Sequence, residues 1–277
     1  MRRSRIAAPA ALLALLACAR VAPLTTRSER TLAAEVQAPG LLFEVLYTKQ
    51  DEGEVARIQR GLLAIGPRLS RWGNFRSGVY IRIYPDHESL EEAVDRRGYP
   101  WLRAWAFGDQ VLLQSPRSWG AANDGEVDEL LLHELTHSLM YQLIQPESSR
   151  WPPEEPPLWF REGMASVTAD QGHRRLSPEE LAHWLAAHPG ADVLNPSAEL
   201  YRTEKDAVYG AAHRAFDLLV RLHGDEKVRA VLHGMSAGAN FADAFRAGTG
   251  ESLGEFEEQA VRSGFALSAA PHGAGGP

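Results

Sequence analysis

The chain has 277 residues, 44% of them hydrophobic and 23% charged, with a formal net charge of −7 from 36 acidic and 29 basic side chains. That balance, with no basic run in the body of the chain, weighs against nucleic acid as the main partner. Past an apolar leader about 250 residues remain, enough for one substantial core, and no later stretch is apolar for long enough to span a bilayer.

Taken in order, Arg2, Arg3 and Arg5 precede an apolar run from Ile6 to Ala17, the charged and hydrophobic parts of a secretory signal. Residues 1–17 are expected to be a signal peptide and the protein to be exported to the cell envelope. Leu15-Leu16-Ala17-Cys18 resembles a bacterial lipobox, which implies lipid attachment at Cys18 and a membrane anchor. Ala17-Cys18-Ala19 also satisfies the cleavage rule of an ordinary signal peptide. Cys18 is the only cysteine, so no disulfide can form within the chain. Residues 18–40, rich in Ala, Thr, Arg and Pro, are expected as a flexible tether, 41–266 as one domain, and 267–277 as a small, Gly-rich disordered tail.

Leu41 to Thr48 alternates and is bulky, so it reads as a strand, and residues 52–72 read as a helix with apolar spacing at Val55, Ile58, Leu62, Leu63 and Ile65. Val79 to Tyr84 is a second strand stopped by Pro85. Ser89 to Arg97 reads as a short helix. Trp101 to Phe107 and Gln110 to Gln114, joined by Gly108-Asp109, form a hairpin, and the strand Gln110 to Gln114 is expected to border a cleft. From Leu158 the reading is almost wholly helical, over 158–170, 178–188, 206–223, 225–236, 240–247 and 252–264. The five prolines between Gln145 and Pro157 mark a rigid connector.

Between these halves lies His133-Glu134-Leu135-Thr136-His137. On a helix this spacing sets two imidazoles one turn apart with a carboxylate beside them, the layout of a zinc-dependent peptide hydrolase. The flanking run from Glu126 to Ile144 holds no Gly or Pro, so it reads as a buried helix. Asn123 or Asp124 can cap its start, and Glu126, Asp128 and Glu129 suit the positive end of its dipole. A catalytic zinc commonly takes three protein ligands, and Glu162, 25 positions after His137 and past the proline-rich turn, supplies a candidate third. Gly163 and Ala165 beside it permit close helix contact.

These residues carry a resemblance. His-Glu-x-x-His, then Pro-x-Trp-x-x-Glu-Gly-x-Ala from Pro157, then a helix beginning Ala207-Val-Tyr-Gly210, is similar to the peptidase MA-like branch of the gluzincin metallopeptidases, the group that includes thermolysin. Leu222 to Val228 and Ala244 to Leu253 also resemble that family's C-terminal helices. The resemblance implies Zn2+ held by His133, His137 and Glu162, with Glu134 taking a proton from a water whose pKa the zinc lowers. It further implies Tyr209 as donor to the developing oxyanion, with His213, one turn on, as the alternative. In thermolysin-like enzymes an acidic residue four positions after the ligating Glu often orients a ligand His. Here that position is Ser166, so Glu129 or Asp170 is expected to stand in.

The expected fold class is α+β: a small mixed sheet packed on the motif helix, then a mostly helical C-terminal subdomain, which the resemblance implies to be zincin-like. The expected activity is metalloendopeptidase, acting on peptide or protein substrate bound along a strand edge, in a lipid-anchored monomer. Two alternatives stay open: an aminopeptidase on the same site, for which no Gly-x-Met-Glu-Asn-type segment is present, and a noncatalytic zinc-stabilised envelope scaffold.

Overall fold

A computed structural model describes residues 31–38, 41–120, 122–146 and 154–261. The expected signal peptide, Cys18 and the tail lie outside the described residues. Five strands form one mixed sheet in the order β1-β2-β3-β5-β4: β1 (Leu32–Ala38), β2 (Leu41–Tyr47), β3 (Val79–Tyr84), β4 (Ala104–Phe107) and β5 (Gln110–Gln114). β1 pairs antiparallel with β2 and β4 antiparallel with β5, while β2-β3 and β3-β5 are parallel. α1 (Glu52–Leu69) makes the crossover from β2 to β3, and α2 (His87–Ala93) lies on the path from β3 towards β5.

The sheet faces are set by alternation. Val79, Ile81 and Ile83 of β3 and Val111 and Leu113 of β5 are buried in the main core with Ile58, Leu62 and Ile65 of α1. Tyr84 and Leu112 point to the other face, where Leu90 of α2 and Leu102 cover them. Behind the main face runs α3 (Asp124–Ile144), opened by a reciprocal capping box between Asn123 and Glu126. Leu131, Leu132, Leu135 and Leu139 of α3 are fully buried. Each contributes about 1.5–3 kcal/mol by burial, the order of what one unsatisfied buried polar group costs, so the helix can carry ionisable side chains inside the fold.

The remainder is helical: α4 (Leu158–Thr168), α5 (Pro178–Ala187), α6 (Ala198–Thr203), α7 (Lys205–Ser236), α8 (Phe241–Thr249) and α9 (Leu253–Gln259). α7 is two helices joined at Gly224, whose φ of 76° and ψ of 167° break the spiral. α4 packs between α3 and α7, and its Gly163 lies so close to α7 that a Cβ there would stand 2.3 Å from the carbonyl oxygen of Ala212. Trp159 and Phe160 of α4 are fully buried among Phe216, Phe241, Phe245 and Phe256. No helix among the described residues is long and apolar enough to cross a membrane.

The α+β class and the hairpin stand as expected, and several placements change. β1 occupies the end of the stretch expected as a tether, because Leu32–Ala38 finds a full antiparallel partner in β2. α2 starts at His87 because Asp86 accepts the backbone N–H of Ser89. α6 was not expected; Ser197 caps it. The cleft edge is β4, not Gln110–Gln114: β5 buries Val111, Leu112 and Leu113 on both faces between β3 and β4, as an interior strand does.

Candidate metal centre and cavity

α3 presents His133, Glu134 and His137 together, with His133 and Glu134 only 6% and 7% exposed. The Nε2 atoms of His133 and His137 stand 3.2 Å apart. α4, drawn against α3, brings the Oε2 of Glu162 to 3.4 Å from one Nε2 and 3.6 Å from the other. That oxygen is buried and accepts no hydrogen bond in the structure. At 3.4 and 3.6 Å from the two Nε2 atoms it lies beyond good hydrogen-bond distance. Tetrahedral ligands about 2.0–2.1 Å from a zinc ion lie about 3.3 Å from one another. The triangle of 3.2, 3.4 and 3.6 Å therefore suits one divalent ion, and two imidazoles with one carboxylate are a catalytic zinc set.

Charge follows burial here. Burial raises the Glu134 carboxyl above its ordinary value against the opposing pull of His133 and His137, and a backbone hydrogen bond from Ala106 of β4 favours its ionised form. Glu162 is held well below the usual range: burial works to raise it, and His137 and His133 together overcome that. His137 is raised, since Glu162 outweighs the burial that would lower it.

The three donors and Glu134 open into a cavity of about 430 Å3 between β4 and α3, closed at the far side by residues of α4, α6, α7 and the turn after α4. β4 supplies one wall with Ala104, Trp105, Ala106 and Phe107. Trp101 packs edge-on against both Tyr201 of α6 and Tyr209 of α7, and the two tyrosine hydroxyls are 2.9 Å apart. Burial, reinforced by the nearby Glu162 charge, raises Tyr209 well above its ordinary value, so its proton is retained. His213 is not among the cavity-lining residues. It bonds Ser166 at 3.0 Å, and burial pulls its pKa down to about 4.

The residue that orients His133 corrects the expectation. Glu129 pairs with Arg174 at 3.2 Å and lies near His173. Asp170 adopts a left-handed turn with φ 58° that ends α4, and its carbonyl accepts from His173. Gln171, the next residue, places Oε1 3.0 Å from His133 Nδ1. That bond puts the proton on Nδ1 and leaves Nε2 free to ligate. Gln171, Tyr201 and Arg175 all line the cavity and were missed; none has a spacing signal, since each arrives through a turn or a packed ring.

No protein-family model matches the chain, and no curated protein matches it. Among solved structures it is similar to Legionella pneumophila aminopeptidase A in complex with aspartic acid, at 14% identity over 86% of this chain and 28% of that one, with a TM-score of 0.50. It is also similar to an aminopeptidase N family protein from Idiomarina loihiensis (15% identity, 83% of this chain, 46% of that one, TM-score 0.48) and to the M1 zinc metallopeptidase from Deinococcus radiodurans (14% identity, 86% and 51%, TM-score 0.41). The chain spans about half the length of these proteins or less, and at such identities the likeness is one of fold.

Proposed function

We propose that the protein is a zinc-dependent peptide hydrolase acting as an endopeptidase in the cell envelope, exported and lipid-anchored through Cys18, and working as a monomer. The observation that carries the reading is the convergence of His133, His137 and Glu162 on one point, with an unbonded buried oxygen aimed at it, beside Glu134 and an open strand edge. A zinc ion bound there would supply Lewis acidity and lower the pKa of a water. Glu134, on the same wall, takes the proton as the water attacks a peptide carbonyl and passes it to the leaving amine. Tyr209, kept protonated, donates towards the charge growing on the carbonyl oxygen. β4, the edge strand on the cavity side of the sheet, offers backbone groups to an extended substrate.

The Legionella protein of like fold is an aminopeptidase, and that activity needs a carboxylate to hold a free amine. Among the described residues, the cavity's carboxylates besides Glu134 and Glu162 are Glu155 and Asp206, paired with Arg161 at 2.9 Å and with Lys205 respectively. This favours internal cleavage. A scaffold role has no use for Glu134, since a structural metal site needs ligands only. Metal analysis combined with a peptide library in free and N-acetylated forms tests the reading. Bound zinc at one per chain with cleavage of blocked peptides supports it; zinc without turnover of any peptide supports the scaffold, and cleavage confined to free amino termini supports the aminopeptidase.

A further inference from the structure

Among the described residues, five cationic side chains line the cavity: Arg103, Arg161, Arg174, Arg175 and Lys205. Three are committed to carboxylates, Arg161 to Glu155, Arg174 to Glu129 and Lys205 to Asp206. Arg103 donates to the carbonyls of Pro100 and Leu102 and to Gln114. Arg175 is different in kind. Its Nε donates to Ser166 Oγ at 3.1 Å, its Nη2 donates to Gln171 Oε1, and its guanidinium lies 5.0 Å above the Tyr209 ring. Among the described residues it has no carboxylate within ion-pair distance, and its Nη1 makes no bond.

Neutral partners at Nε and Nη2 and a ring beneath fix the plane of this guanidinium without a direct ion pair. A guanidinium stays charged throughout the physiological range; burial opposes that charge here, and Glu162, Glu129 and Asp206, all beyond ion-pair distance, favour it. An arginine held flat with Nη1 uncommitted can meet a carboxylate with Nη1 and with the remaining N–H of Nη2, two parallel hydrogen bonds. The same Gln171 that bonds Arg175 also bonds His133, so the fork is one side chain removed from the metal ligands.

We infer that Arg175 is a specificity residue that binds a carboxylate of the substrate, so that the protein prefers peptides carrying a free carboxyl group near the cleaved bond. This rests on the peptide-hydrolase reading. The carboxylate has two sources, the C-terminal carboxyl of a short peptide or an Asp or Glu side chain within a longer one.

The test uses the zinc-loaded protein, with Arg175→Gln and Arg175→Lys variants checked for unchanged thermal melting, and one fluorogenic peptide core in three forms: free acid, C-terminal amide, and amide with a single Glu scanned along it. The readout is the ratio of kcat/KM for acid over amide within each variant, which a general loss of activity does not change. A charge-assisted bond of about 1.5–3 kcal/mol predicts a wild-type ratio of about 10–100. Arg175→Gln is expected to bring that ratio close to one and Arg175→Lys to restore part of it. Preference for the free acid identifies a C-terminal carboxyl, and preference for the Glu-bearing amide identifies a side chain. A wild type that prefers neither the free acid nor any Glu-bearing amide over the plain amide, or a preference unchanged in Arg175→Gln, overturns the inference. If no peptide is cut, the peptidase reading fails separately, and calorimetric binding of the same acid and amide peptides still decides for or against the role of Arg175.

Discussion

Two polar clusters sit one turn apart on the same face of α4, and they behave in opposite ways. The Ser166 hydroxyl is satisfied: it meets His213 Nδ1 at 3.0 Å and Arg175 Nε at 3.1 Å, and the far edge of the His213 ring rests against Gly172. The Glu162 carboxylate is not. Its Oε2 is buried without a hydrogen bond, and it faces two imidazole nitrogens that stand 3.2 Å from each other. Buried polar groups are paired almost everywhere in folded proteins. A buried oxygen that stays unpaired beside two imidazole nitrogens, one turn from a satisfied hydroxyl, marks where the fold keeps a place for a ligand.

The sharpest way to break this contrast is Glu134→Gln, which removes the base and leaves the ligands. Hydrolysis is expected to fall by about 10²–10⁴-fold with zinc content unchanged, measured by peptide turnover and metal analysis on one preparation; activity within threefold of wild type would remove Glu134 from the mechanism. The next largest effect concerns how α4 is seated. A methyl at Gly163 would meet the Ala212 carbonyl at 2.3 Å and Phe216 Cβ at 2.5 Å. Gly163→Ala should therefore cost about 3 kcal/mol in denaturant unfolding and weaken zinc binding with it.

The Ser166–His213 pair makes a prediction about pH. His213 has its pKa lowered from 6.5 to about 4, so the unfolded chain binds the proton first. Stability from this residue is complete above about pH 6.5, is lost as pH falls towards 4, and amounts to at most about 3 kcal/mol. Urea titrations across that window should show the slope, and His213→Asn should flatten it; an identical slope in the variant would assign the effect elsewhere. The smallest expected change joins the two clusters. Gln171→Ala removes the acceptor on His133 Nδ1 and should weaken zinc affinity about 10–100-fold, the usual effect of losing an outer-shell partner, read by competition with a metal chelator.

The site was readable in the sequence to the extent that it is local. His133, Glu134 and His137 share one helix, so their spacing alone sets them side by side, and Glu162 was reachable because a proline-rich stretch must return the chain on itself. Gln171 was not readable. Its place beside His133 depends on the left-handed turn at Asp170 and on the packing of α4 against α3, and a glutamine in a loop has no pattern. The choice of β4 over β5 as the open edge has the same cause, since two adjacent strands of a hairpin look alike until the sheet decides which of them gains a second neighbour.

By itself the amino-acid sequence determined most helices and most strands, the buried character of α3, and the two histidines and one glutamate on it, because these depend on residues within a few positions of one another. Only the tertiary structure decided which oxygen completes the triangle, which glutamine steadies it, which strand is left open and which arginine keeps an uncommitted fork. Those are matters of distances between segments tens of residues apart, set by how α3, α4 and α7 close-pack, and no periodicity in the chain encodes them.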